Sequence, residues 1–170
     1  MDEVILVNKN NEILGYMEKI EAHKKGLLHR AFSVFIFNSN KEILLQKRAS
    51  IKYHSGGLWT NTCCSHPKKN ESFFDAANRR LFEEMGMTSN LKEAFQFIYK
   101  AELDNNLIEH ELDVVFIGYS DEKPIINKNE VDEFKYISIS KLKIDIMNNP
   151  DHFTKWITIC IDKVYDFIKQ

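Results

Sequence analysis

Apolar and polar positions along the chain follow two periods, and the switches between them mark out the elements. Val4-Ile5-Leu6-Val7 and Glu12-Ile13-Leu14-Gly15-Tyr16-Met17 flank the polar turn Asn8-Lys9-Asn10-Asn11, which predicts an N-terminal hairpin. Residues 18–25 turn polar, carry His23 near their end and are broken by Gly26. Residues 31–37 are almost wholly apolar, as expected of a central strand buried on both faces, and residues 42–48 return after a polar turn. Residues 49–57, punctuated by Ser55-Gly56-Gly57, read as a loop leading into the segment Trp59 to His66. Ser72 stands three residues before Asp75 in capping-box spacing, so a helix is expected through Met85 with Gly86 as its stop. Residues 91–102 and 108–119 are strand-like around the turn 104–106, with a further strand over 130–139 and a short helix over 140–149. Pro150-Asp151 is expected to open the last helix, with Phe153, Trp156, Ile157, Cys160, Ile161, Val164 and Phe167 on one stripe. No repeat or linker divides the chain, so residues 1–170 read as one mixed α/β domain.

Composition narrows the function classes. A chain of 170 residues can bury a real core, and its net charge of −2 gives no general surface for nucleic acid or anionic membrane. No apolar run approaches the ~20 residues that cross a bilayer, and Met1-Asp2-Glu3 carries no leader pattern. The cysteines are odd in number, and adjacent Cys63 and Cys64 are poorly placed to bridge each other. Free thiols in a reducing cytoplasm are therefore the expectation.

Candidate chemistry gathers at two places. If the segment before the helix is extended, Cys64 and His66 share a face. On the strand Glu109-His110-Glu111 the two carboxylates share one face and His110 takes the other. Two carboxylates pointing together repel unless one is protonated or both meet a cation. His23, His29, His66 and His110 are the histidines to weigh, and imidazoles with carboxylates suit zinc, manganese or iron. Each residue also has an ordinary reading. A lone histidine is more often hydrogen-bonded or at the surface, Cys64 could be a small core residue, Trp156 falls on an apolar stripe, and Tyr99 could be a strand aromatic.

The charged helix adds a register. Glu71, Arg79, Leu81, Glu83, Glu84, Gly86 and Met87 resemble the Nudix box, with Ser65 where its first Gly is usual and Arg80 where a Glu follows the Arg. Arg80 replaces an anion with a cation inside a magnesium-binding Glu cluster, which argues against ordinary pyrophosphate hydrolysis. Further pieces run in order over nearly the whole chain: Glu18-Lys19, His23, His29, Lys47-Arg48-Ala49, Lys52, Trp59-Thr60-Asn61, Cys64-Ser65-His66-Pro67, Tyr99, Glu109-His110-Glu111 and Trp156. The ordered set resembles the type 1 isopentenyl diphosphate isomerases of the Nudix superfamily.

That resemblance implies a Nudix-type mixed β-sheet sandwiched by α-helices, with an added N-terminal β-hairpin. It implies one inner divalent metal, zinc or manganese, held by His23, His29, His66, Glu109 and Glu111. Cys64 and Glu111 would be the proton-transfer pair, Tyr99 would hydrogen-bond near the acidic centre, and Trp156 would face a cationic intermediate. Glu84 would help hold Mg²⁺ on a diphosphate whose oxygens Lys19, Arg48, Lys52 and Arg80 would bind. The implied reaction moves the double bond of isopentenyl diphosphate to give dimethylallyl diphosphate, and the expected partner is that small isoprenoid diphosphate, with no nucleic acid and no membrane. A monomer is the expected state. A Nudix hydrolase acting on another diphosphate is the alternative, and a metal-stabilised binding module a third reading.

Overall fold

The computed structural model describes residues 2–169. Strands β1 (Glu3–Val7) and β2 (Ile13–Glu18) form the expected hairpin, with Val4 opposite Met17 and Ile5 opposite Tyr16. The polar stretch after it is helical: α1 (Lys19–Lys25) is capped at its start by the Glu18 carboxylate and closed by Gly26 in the left-handed conformation. Strand β3 (His29–Phe37) is the centre of a mixed sheet. It pairs antiparallel with β1 and parallel with β8 (Ile108–Tyr119), whose other edge takes β7 (Lys92–Glu102). Strand β4 (Glu42–Arg48) pairs with β9 (Val131–Ser138).

The apolar run of β3 is buried on both faces because helices cover both. Phe32, Val34 and Ile36 pack with Leu81 and Met85 of α2 (Phe73–Met85). Phe35 and Phe37 pack with Leu142 of α3 (Ile139–Asn148) and with Ile157, Ile161 and Val164 of α4 (Lys155–Ile168). The Ser72 side chain accepts from the Asp75 N–H and Gly86 closes α2 at φ 62°, both as the spacing predicts.

The start of the last helix differs from expectation. Residues 150–152 form a short 3₁₀ turn, and Phe153 is extended, with Thr154 N–H donating to the Trp59 carbonyl at 3.0 Å. That bridge to the strand segment holds Phe153 out of the helix. Phe153 is still buried, whereas Phe167, expected on the same stripe, is 39% exposed.

Strands β3 and β4 meet only at Phe37 and Ile43 and then diverge. Residues 59–65 fill the gap as two short strands, β5 (Trp59–Thr60) on β4 and β6 (Cys63–Ser65) on β3. Thr62 spans it: its hydroxyl donates to the Leu44 carbonyl at 2.7 Å and accepts from the Ile36 N–H at 2.9 Å. Asn61 Nδ2 donates to the Val34 and Cys63 carbonyls, and Gln46 Nε2 donates to the Thr62 carbonyl. All of these groups are buried, so each lost partner leaves a dry unsatisfied polar atom. Thr62→Val is expected to destabilise the fold by about 2 kcal/mol, roughly 4–8 °C in Tm at this length, while Thr62→Ser stays close to wild type. Thermal unfolding followed by circular dichroism checks it, and equal Tm values for the Val and Ser variants would remove the hydroxyl from the account.

Candidate active site and metal centre

The gap between β3 and β4 opens into a cavity of about 220 Å³. Pairing register brings its groups together from distant parts of the chain. Cys64 lies opposite Ser33 on one side of β3, and Glu111 lies opposite His29 on the other. Cross-strand partners share a face, and positions 29 and 33 share one too, so thiol and carboxylate flank β3 on the same face. Tyr99 stands opposite Glu111 on the next strand. Alternation sends Cys63 into the core beneath α2, and puts His110 on the face away from Glu109 and Glu111, with Nδ1 3.0 Å from the Gly26 carbonyl.

Three imidazoles meet there. Ring centroids of His23, His29 and His66 are 4.8, 5.0 and 5.6 Å apart. His23 and His29 each donate an Nδ1–H to a backbone carbonyl, of Lys19 and Leu27, at 2.7 Å. A carbonyl only accepts, which fixes the tautomer and leaves both Nε2 lone pairs free. Both Nε2 atoms are buried and have no hydrogen-bond partner among the described residues. Donor atoms of His23, His29, His66 and Glu111 lie within 4.8 Å of one another, and so do those of His23, His54 and Glu109. Orphaned nitrogens facing carboxylates are what a divalent cation would satisfy, so these residues fit a metal.

The protonation states follow from burial and neighbours. Burial drives the His23 imidazole down to about 4 and, with Arg48 beside it, His54 down to about 2. Burial also lowers His66, against the pull of Glu111. Glu109 is raised well above the carboxylate range by burial and by the charge of Glu111. Burial works against the charge of Glu111 as well, but the His66 contact at 3.0 Å and the nearby His29 ring outweigh it and hold Glu111 well below that range. Tyr99 Oη lies 2.7 Å from Glu109 Oε2 and 2.6 Å from Glu111 Oε2. One phenol proton serves only one of these contacts, so a second proton or a cation must serve the other. Burial, reinforced by Glu84, Glu109 and Glu111 and opposed by Arg48, pushes the Cys64 thiol well above its usual range.

The opposite wall comes from α2 and the loops. Arg80 donates to Glu84 Oε1 at 2.6 Å and to Glu83 at 2.8 Å, and reaches Glu130 at 3.3 Å. The second Glu84 oxygen accepts from Gln46. Arg79 grips Glu71 with two bonds. Lys52 pairs with Glu130 and Lys19 with Asp2. Arg48 stacks over the Trp156 ring at 5.3 Å, while the Trp156 N–H donates to Asn61. Lys19, Arg48, Lys52, Cys64, His66, Arg80, Glu84, Glu109, Glu111 and Trp156 all line the cavity, with His23, His29 and Tyr99 directly behind it.

His54, Gln46 and Glu130 also belong to the site, beyond the residues expected from the sequence. His54 sits in a loop without period, and its only signal is a histidine two residues after Lys52. Gln46 is a polar residue on a strand and Glu130 lies in the turn before β9, and the role of each depends on which distant side chains the fold places against it.

The NUDIX domain model matches residues 27–157. The chain is 47% identical over 163 residues to isopentenyl-diphosphate Delta-isomerase 2 of Aromatoleum aromaticum, covering 96% of this chain and 86% of that relative. It is 49% identical to isopentenyl-diphosphate Delta-isomerase of Pectobacterium atrosepticum, covering 98% and 93%. With isopentenyl-diphosphate Delta-isomerase 2 of Photorhabdus laumondii the identity is 52%, covering 92% and 89%. The crystal structure of DR0079 from Deinococcus radiodurans is similar with a TM-score of 0.81 at 15% identity, covering 96% of this chain and 99% of that one. The MutT protein from Methanosarcina mazei follows at 0.69 and 19%, covering 84% and 96%. At those identities the structural likeness speaks for the fold alone. By its matched domain and its relatives, the chain belongs to the Nudix family and, within it, to the isopentenyl-diphosphate Delta-isomerases.

Proposed function

We propose that this protein interconverts isopentenyl diphosphate and dimethylallyl diphosphate, with residues 1–170 acting as one Nudix-type isomerase domain. The observation that carries the residue roles is the register of β3, which sets the Cys64 thiol and the Glu111 carboxylate on one face, both lining the cavity. Burial favours the protonated thiol of Cys64, and the histidines beside Glu111 favour its ionised form. An acid and a base held in those states at neutral pH are what a double-bond shift needs.

Cys64 gives its proton to the terminal alkene carbon, and the π electrons form that C–H bond. The tertiary cation left behind loses a proton from the neighbouring carbon to Glu111, and the C–H electrons become the new double bond. Tyr99 orients Glu111, and the indole of Trp156 supplies a wall that stabilises positive charge without attacking it. The buried setting excludes the water that would quench the cation. Lys19, Arg48, Lys52 and Arg80 hold the diphosphate, with Glu84 assisting its Mg²⁺, and so fix the small apolar tail. His23, His29, His66, Glu109 and Glu111 would hold a zinc or manganese ion, which would supply charge to neutralise the carboxyl pair. Isoprenoid precursor synthesis, a cytoplasmic site of action and a monomeric state complete the reading. Hydrolysis is disfavoured because Arg80 puts a cation among Glu83 and Glu84, so that the cluster would hold fewer metal ions than a run of carboxylates.

Incubation with isopentenyl diphosphate and Mg²⁺ in D₂O is expected to yield dimethylallyl diphosphate carrying deuterium, with no phosphate released. Phosphate release without double-bond movement would favour the hydrolase. Cys64→Ala and Glu111→Gln should each lower kcat by at least ~10²–10⁴-fold with the circular dichroism spectrum unchanged, and wild-type turnover in either would sink the two-residue mechanism. In protein stripped of metal, the His23 ring should titrate with a midpoint of about 4, because burial disfavours its cation. A midpoint at or above the ordinary 6.5 in the imidazole NMR resonances would contradict that environment.

A further inference from the structure

One buried imidazole at this site has no role in the account above. His54 is 5% exposed, and its Nε2 lies 3.9 Å from Glu109 Oε1. Its donor atom, with those of His23 and Glu109, forms a set within 4.8 Å, and this set shares His23 with the set containing His29, His66 and Glu111. The shared His23 Nε2 is buried and has no hydrogen-bond partner among the described residues.

The loop is built to hold the His54 ring in place. Ser55 Oγ lies 3.2 Å from Nδ1, which leaves Nε2 as the outward nitrogen. The Ser55 N–H donates to Asp104 at 3.2 Å, Asn105 donates to the Tyr53 carbonyl at 3.1 Å, and Arg48 donates to the His54 carbonyl at 3.3 Å. Tyr53 meets the ring edge-on at 4.4 Å, and Trp156 does so at 6.0 Å. These ties anchor a loop residue to the turn between β7 and β8, the strand pair that carries Tyr99 and Glu111.

Resting on the metal-centre reading above, we infer that His54 is a further protein ligand of that centre, contributed by the loop and working with Glu109. His54 would bring the donors on offer at the centre to four imidazoles and two carboxylates, in two sets that share His23. Such a donor count suits a six-coordinate ion such as Mn²⁺ better than Zn²⁺, which settles at four protein donors in structural sites. Binding the ion would also fix the loop that carries Lys52, so that filling the centre shapes the diphosphate end of the cavity.

Metal-free wild type, His54→Phe, His54→Gln and His66→Ala are titrated with Mn²⁺ against a chromogenic chelator, with folding checked by circular dichroism. His54→Phe keeps a ring against Trp156 and removes the nitrogen, while His54→Gln covers the case of poor folding by the Phe variant. Both are expected to weaken Mn²⁺ by at least the roughly 10–100-fold that loss of an outer partner costs, with a smaller loss for Zn²⁺. The visible absorption of bound Co²⁺ should strengthen as one ligand is lost. If His66→Ala loses Mn²⁺ while both His54 variants hold it within about twofold of wild type, the centre stands and His54 is not part of it. If His66→Ala also retains full affinity, the metal centre itself falls and this inference with it.

Discussion

The divergence of β3 from β4, and the Thr62 hydroxyl that spans it, is the constraint on which the chemistry depends. A sheet whose strands stayed paired would present a closed surface to the helices on either side. Here the pairing stops after Phe37 and Ile43, and a short segment with its own hydrogen bonds to both strands takes its place. That segment carries Cys64 and His66, and the gap admits walls from both faces of the sheet. Arg80 and Glu84 come from α2 on one face and Trp156 from α4 on the other, so a wall rich in cations and a wall carrying Cys64, Glu109 and Glu111 enclose one space.

Electrostatics decides how that space can be occupied. Glu109 and Glu111 stand on one strand with Tyr99 between their inner oxygens, in surroundings where an unmatched charge is costly. A shared proton or a bound cation relieves the pair, and the unpartnered Nε2 atoms of His23 and His29 beside it suit the second. On the opposite wall the balance is reversed: Lys19, Lys52 and Arg80 are each paired to a carboxylate, while Arg48 stacks on Trp156 and donates to the His54 carbonyl without a carboxylate partner. The three pairs limit the positive charge of that wall, and Arg48 is the cation there that no carboxylate offsets.

Much of this was legible in the sequence because it rests on local periods. The hairpin, the apolar β3, the capped α2 and the opposite orientations of His110 and its neighbours follow from alternation, capping and turn chemistry. The ordered motifs brought the site residues together without geometry. What failed or was missed depends on contacts across the fold. Pro150 reads as a helix opener, yet the Trp59 carbonyl captures the Thr154 N–H and delays the helix to Lys155. Residues 19–25 are too short for a clear helical period, so α1 emerges only from its two caps. His54 lies in an aperiodic loop and gains meaning only when the turn at Asp104 holds it over Glu109.

Cys63 and Cys64 show what the pleat of a strand accomplishes. One peptide unit separates the two sulfurs along the chain, yet one is sealed beneath α2 and the other borders the cavity. The backbone of β6 is thus a partition one residue thick between a thiol in the core and a thiol on the cavity. Sliding that strand by a single residue would exchange the two, leaving the composition of the segment intact and the cavity without the sulfur of Cys64.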